Sequence, residues 1–219
     1  MKVYLSIGIS LLLLNFGSPS WAEEEPAAIV ENYSGKLTTI QFLDVLRHGR
    51  KINLGPDDQL IIGYFHSCIK ETIFGGQIII GRQQSSVIGG KATRERVECD
   101  GGNLQRITTG NSSSAVTVFR TKKNAQQRLP KSQLTIFSTI PFISLSAKDL
   151  TIKIRRLDKS EKPRVIHVAG STSDFSKHGI QLSPGALYHI QAGQKGLIFS
   201  TDPLAENKSL SILQRFIKL

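Results

Sequence analysis

Chemistry in this chain of 219 residues would have to come from three small groupings. The first is Leu46-Arg47-His48-Gly49-Arg50-Lys51. An imidazole beside a guanidinium offers a nucleophile or proton carrier next to a group that holds anionic oxygens. Its plain structural reading is a turn, Arg47-His48-Gly49-Arg50, between two strands. The second grouping is His66 and Cys68. Residues two apart in a strand share a face, so the pair could hold a metal, or His66 could serve as base to a reactive Cys68. Zinc sites want three or four ligands in a tighter cluster, so no metal and no cofactor is assigned. The third is the only two cysteines, Cys68 and Cys99. In an oxidising compartment they read as a disulfide closing a loop of about 30 residues; two buried free thiols are the alternative. A bridge would consume the Cys68 thiol.

Other catalytic signatures are missing. No Gly-x-Ser-x-Gly, His-Glu-x-x-His or Gly-x-x-x-x-Gly-Lys occurs, and Asp57-Asp58 reads as a polar turn. A non-enzymatic role is the expectation. The charge balance is more telling, with a formal net charge of +11. Twelve Lys and Arg residues lie from Arg120 to Arg164, opposed only by Asp149, Asp158 and Glu161. Lys153, Arg155, Arg156, Lys159 and Arg164 are the expected contact residues, facing an envelope protein or an anionic surface polymer. The alternative is a solvated face whose lysines discourage edge pairing. Nucleic acid is not an expected partner, because no aromatics interleave with these cations for base stacking.

Those residues must be positioned by strands. After residue 33, short runs rich in Ile, Val, Thr, Phe and Tyr recur between Gly, Pro, Asn and Asp. Candidate strands are Lys36–Gln41, Lys51–Leu54, Gln59–His66, Cys68–Phe74, Gln77–Gly81, Thr93–Cys99 and Val116–Arg120. Gly75-Gly76, Gly89-Gly90 and Gly101-Gly102 punctuate them as hairpin turns would, and 101–114 reads as a loop. Further strands are expected at Leu134–Ser138, Phe142–Ser146, Leu150–Leu157, Arg164–Ala169, Ala186–Ala192, Gly196–Thr201 and Leu210–Leu219. The fold class is therefore all-β, in two β domains: 23–120, then a basic linker over 121–132, then 133–219 as a sandwich of immunoglobulin-like strand density.

The first 22 residues read as a cleavable signal peptide. Met1-Lys2 precedes an apolar stretch from Val3 to Phe16, and Ser20 and Ala22 stand where signal peptidase reads small residues. The apolar stretch is shorter than the roughly 20 residues a spanning helix needs. The expectation is a periplasmic or secreted protein that does not span the membrane, in an oligomeric state left open.

Three resemblances add to this reading. Leu182-Ser183-Pro184-Gly185-Ala186-Leu187-Tyr188 resembles the L-x-P-G-x-x-Y stretch of fibronectin type III domains. That implies a corner into a late strand, with the Tyr188 hydroxyl bonded back to the corner backbone. The stretches Gly35–Ile40 and Gly49–Leu60 resemble the opening of FecR-type periplasmic β domains, with Pro56-Asp57-Asp58 standing where that family has glycine-aspartate steps. This resemblance implies an association with signalling across the envelope. Finally, Arg47-His48-Gly49 is similar to the signature of histidine phosphatases and phosphoglycerate mutases. It implies that His48 takes a phosphoryl group whose oxygens Arg47 holds, on an α/β fold, with a second histidine such as His178. An envelope phosphatase or hydrolase is thus the alternative function.

Overall fold

Period-two alternation of apolar residues, which puts every second side chain on one face of a strand, organises most of the chain. A computed structural model describes residues 25–108, 129–208 and 211–219. The expected signal peptide, the expected strand Val116–Arg120 and residues 121–128 of the expected linker lie outside them. The fold is all-β. In the first half, β1 (Pro26–Ser34), β2 (Val45–Arg47), β3 (Lys51–Tyr64), β4 (Ile69–Ile79), β5 (Ser86–Ile88) and β6 (Lys91–Arg96) form one antiparallel sheet. Its order is β2-β1-β3-β4-β5, with β6 also paired to β4.

A helix, α1 (Gly101–Thr108), follows. The second half contributes β7 (Leu134–Ser138), β8 (Phe142–Ser144), β9 (Leu150–Arg156), β10 (Arg164–Val168), β11 (Thr172–Asp174), a 3-10 turn over Phe175–His178, β12 (Leu187–Ala192), β13 (Lys195–Glu206), the single-turn α2 (Ile212–Arg215) and β14 (Phe216–Lys218). These make a sandwich-like pair of sheets, β10-β9-β12-β13-β7 and β11-β8-β14. The contacts β13–β7 and β14–β8 are parallel. Between them lies a core that includes Ile152, Ile190, Phe199 and Ile217. The same core takes Ile29 and Phe65 from the first half and Leu104 and Ile107 from α1. The halves therefore share buried surface. Gly63 lies at that seam, where an added Cβ would sit 2.7 Å from the Leu213 side chain.

The first half departs from the sequence reading in instructive ways. Lys36–Gln41 is turn and coil, whereas Pro26–Ser34 is a strand. Gly75-Gly76 is no hairpin turn but lies inside β4, and 55–58 does not divide β3. Leu54 pairs with Gly76 and Gln59 with Phe74, so residues 55–58 bulge out opposite Gly75. Asp58 fastens the bulge, accepting hydrogen bonds from the Gly55 N–H at 3.0 Å, the Lys36 N–H at 3.2 Å and the Tyr33 hydroxyl at 3.2 Å. The bond from Gly55 leads the effects that hold its carboxyl below the usual range, despite burial. Gly76 has φ +82°, and a Cβ there would lie 2.5 Å from the Ile88 carbonyl oxygen, so the bulge requires glycine. Gly101-Gly102 opens α1, where a loop is expected from sequence. Where a strand over Leu210–Leu219 is expected, the described residues 211–219 form α2 and the short β14.

The corner at Pro184-Gly185 forms as the motif implies. The Ser183 N–H donates to the Tyr188 hydroxyl oxygen at 2.9 Å, and the Tyr188 ring stacks on Phe199 with centroids 5.6 Å apart. Tyr188→Phe keeps the stack but leaves the Ser183 N–H without its acceptor. The expected loss is about 1 kcal/mol of folding stability, read as a lowered urea midpoint at unchanged slope.

Candidate functional site

Cys68 and Cys99 are joined in a disulfide, with Cα atoms 5.6 Å apart. Cys68 follows the turn after β3, and Cys99 sits just before α1 and is half-buried. The expected inward strand Thr93–Cys99 ends instead at Arg96. With its sulfur in the bridge, Cys68 offers no thiol for a metal or for catalysis, which corrects the His66–Cys68 reading. Among the described residues no group of three His, Cys, Asp or Glu side chains could hold a metal ion.

Arg47 ends β2, and His48-Gly49-Arg50 turns the chain into β3. Gly49 has φ +82° and donates its N–H to the Ile80 carbonyl at 2.8 Å, while the Arg50 N–H reaches the Arg47 carbonyl at 3.2 Å. His48 is exposed on that turn. The resemblance to histidine phosphatases carries an α/β sheet with it, whereas this chain folds as strands. His178, the second histidine it would need, is hydrogen-bonded through Nε2 to the buried Ser173 Oγ at 3.0 Å.

The basic set divides in two. Arg156 is almost buried and turns inward. Its guanidinium holds Asp158 at 2.9 Å, Glu161 at 3.0 Å and the Ser183 hydroxyl at 3.0 Å. Asp158 also accepts the Leu187 N–H, so Arg156 pins the 157–163 loop to the tyrosine corner. The hydrogen bonds from Arg156 lead the effects holding the Asp158 carboxyl below its usual range. Arg164 donates to the Gln181 carbonyl at 2.9 Å while remaining exposed. Lys159 is exposed in the loop.

Lys153 and Arg155 point the other way. In β9 they alternate with the buried Ile152 and Ile154, and so face solvent on the outer side of the sheet. Neither has an ion-pair or hydrogen-bond partner among the described residues. Pairing sets Val165 opposite Lys153 and His167 opposite Thr151 on one side. On the other side it sets His189 opposite Arg155 and Gln191 opposite Lys153. No carboxylate occurs among these outward residues of β10, β9 and β12. His167 and His189 lie on the same outward face and were not singled out from sequence; their signal is their alternation with Ile166, Val168, Tyr188 and Ile190. Burial and the Arg155 charge push the His189 pKa down. It is therefore neutral at pH 7 and adds charge only on acidification.

Comparison with known protein families, with curated proteins and with solved structures gives no match to this chain. Among the described residues no helix is long and apolar enough to cross a membrane.

Proposed function

We propose that the chain is an exported, non-enzymatic binding protein of the cell envelope, and that the outer face of β10-β9-β12 docks an anionic polymer. One observation carries this reading: Lys153 and Arg155 stand unpaired on a face without carboxylates, while nearby Arg156 has found acidic partners. A sheet built only for solubility would mix signs across its strands. Here like charge is gathered at neighbouring positions, where it repels itself and is relieved by an anion. Export rests on the leader at 1–22, and the oxidising compartment on the Cys68–Cys99 bridge. The resemblance to FecR-type and fibronectin type III domains suits an accessory to a sensor or surface assembly.

The test is titration of the mature protein with fluorescent polygalacturonate between 50 and 300 mM salt, these conditions being on the order that brackets the screening lengths of interest. The Lys153→Glu/Arg155→Glu variant is expected to bind about tenfold or more weakly and with a flatter salt dependence. Equal affinity of variant and wild type would overturn the proposal.

A further inference from the structure

A cleft of about 340 Å³ opens at the seam between the two halves. It is separate from the cationic sheet face, and its lining joins residues of β1, β3 and β4 to Phe142, Asp174 and the segment around α2. Its polar groups are unequally satisfied. The carboxylates have protein donors: Glu31 Oε1 takes the Ser211 hydroxyl and the Leu213 N–H, and Asp174 takes both ends of the Arg215 guanidinium. Lys70 has no acceptor among the described residues, and neither does the buried Arg215 Nε–H. Buried donors without acceptors are rare in folded proteins and call for an account.

The apolar wall is equally particular. Phe42 is half exposed, and its ring meets Phe142 edge-on with centroids 5.8 Å apart. What places it there is the backbone of Leu43, a non-glycine residue at φ +69°. That conformation is unfavourable for a bulky side chain, and such strain gathers at ligand-holding sites. The 41–44 turn is clamped to β1 by reciprocal bonds, Leu43 N–H to the Val30 carbonyl and Val30 N–H to the Asp44 carbonyl, both 2.9 Å. Leu43 packs inward against the core, and Phe42 is left facing outward.

We propose that this cleft binds a small organic anion with a flat apolar body. The anionic group is held by the Lys70 ammonium; the ring lies against the exposed Phe42, which the buried Phe142 backs edge-on. The volume is at the lower end of the range for small-molecule sites, which favours a compound of one or two rings.

The experiment is an NMR titration of the folded mature protein with 2-naphthoate, beside the neutral 2-naphthamide and the variants Lys70→Met and Phe42→Ala. Both positions are solvent-accessible, and thermal melts of each variant establish that it is folded. Saturable amide shifts at Phe42, Lys70 and Phe142 are expected. Affinity should fall at least tenfold for the amide and at least tenfold in Lys70→Met, with a smaller loss in Phe42→Ala. No saturable shift, equal binding of acid and amide, or unchanged binding in Lys70→Met would each overturn the proposal. Loss of naphthoate binding in Lys153→Glu/Arg155→Glu, with Lys70→Met unaffected, would assign the anion to the sheet face instead and overturn it as well.

Discussion

Asp174→Asn is expected to cost this protein about 3 kcal/mol of folding stability, more than any surface substitution in the chain. Arg215 has 5% of its side chain exposed and Asp174 16%. The pair is bidentate, with Nη1 and Nη2 each 2.9 Å from a carboxylate oxygen. Arg215 also donates to the Ile140 carbonyl at 3.3 Å and lies over the Phe142 ring, 5.5 Å from its centroid. Asn at 174 offers one acceptor where two are needed and no charge. The guanidinium then stays buried with its charge uncompensated, the situation that costs about 3–5 kcal/mol. Replacing both partners is a different matter. Asp174→Leu with Arg215→Met removes the desolvated charges together and is expected to cost less than the two single changes combined, the mark of direct coupling.

The same pair fixes a pH dependence. Burial alone would raise the Asp174 carboxyl, but the bonds from Arg215 and Ser176 and the guanidinium charge outweigh it, bringing the pKa down to about 2. A folded-state value below the unfolded one means that the unfolded chain binds the proton more readily. The stabilisation is therefore complete above about pH 4 and is lost as pH falls toward 2. For a largely desolvated group this is worth about 2 kcal/mol. Urea midpoints measured from pH 6 down to pH 2 should show that loss in the wild type and a visibly shallower one in Asp174→Asn. Parallel curves would mean that the acid sensitivity comes from other carboxylates.

How much of this was legible in the sequence depends on how locally each feature is encoded. The strands beginning at Leu134, Phe142, Leu150 and Arg164 were readable because one face is buried and the other wet, as Ile152-Lys153-Ile154-Arg155 displays. The same alternation correctly turned Lys153 and Arg155 outward. It failed for Pro26–Ser34, where Ala27 through Val30 are all buried: a strand covered on both faces has no alternation to read. Gly75-Gly76 misled because glycine marks both turns and bulges; only the register against β3 distinguishes them. Helix α1 buries just Leu104, Ile107 and Thr108, too few for a period to show in eight residues. Arg156 was read as a contact residue although Asp158 and Glu161, two and five positions on, were close enough to claim it. The cleft lay beyond reach, since its walls come from positions as distant as Glu31 and Arg215. Lys70 is recognised as unpaired only in the fold, where among the described residues it makes no ion pair, even with Glu95, its cross-strand neighbour on β6.

Loss of the Cys68–Cys99 bridge should be felt first in α1. An isolated eight-residue helix is not stable in water, and this one begins with two glycines, so its order must come from its attachments. The chain enters it closely against the β3–β4 turn, where a Cβ on Gly101 would lie 2.6 Å from the His66 carbonyl oxygen. Two polar contacts assist: Asp100 accepts the Thr135 N–H at 2.7 Å, and Lys218 donates to the Thr108 carbonyl at 3.1 Å. The disulfide adds a covalent tie between points 31 residues apart. In the chain-entropy account such a loop contributes about 3–4 kcal/mol, so Cys68→Ser/Cys99→Ser should melt roughly 10 °C lower. Serine at 68 inherits the same left-handed backbone, φ +56°, so strain at that position changes little between the two proteins. The distinguishing measurement is amide hydrogen exchange. Protection across 101–108 should fall further than protection in β9 and β12, because local opening of α1 exposes only Leu104 and Ile107 whereas the sheets open with the whole core. An equal fall at all these sites would mean that α1 unfolds only with the sandwich. The bridge would then act on the unfolded chain alone rather than holding the helix to the first sheet.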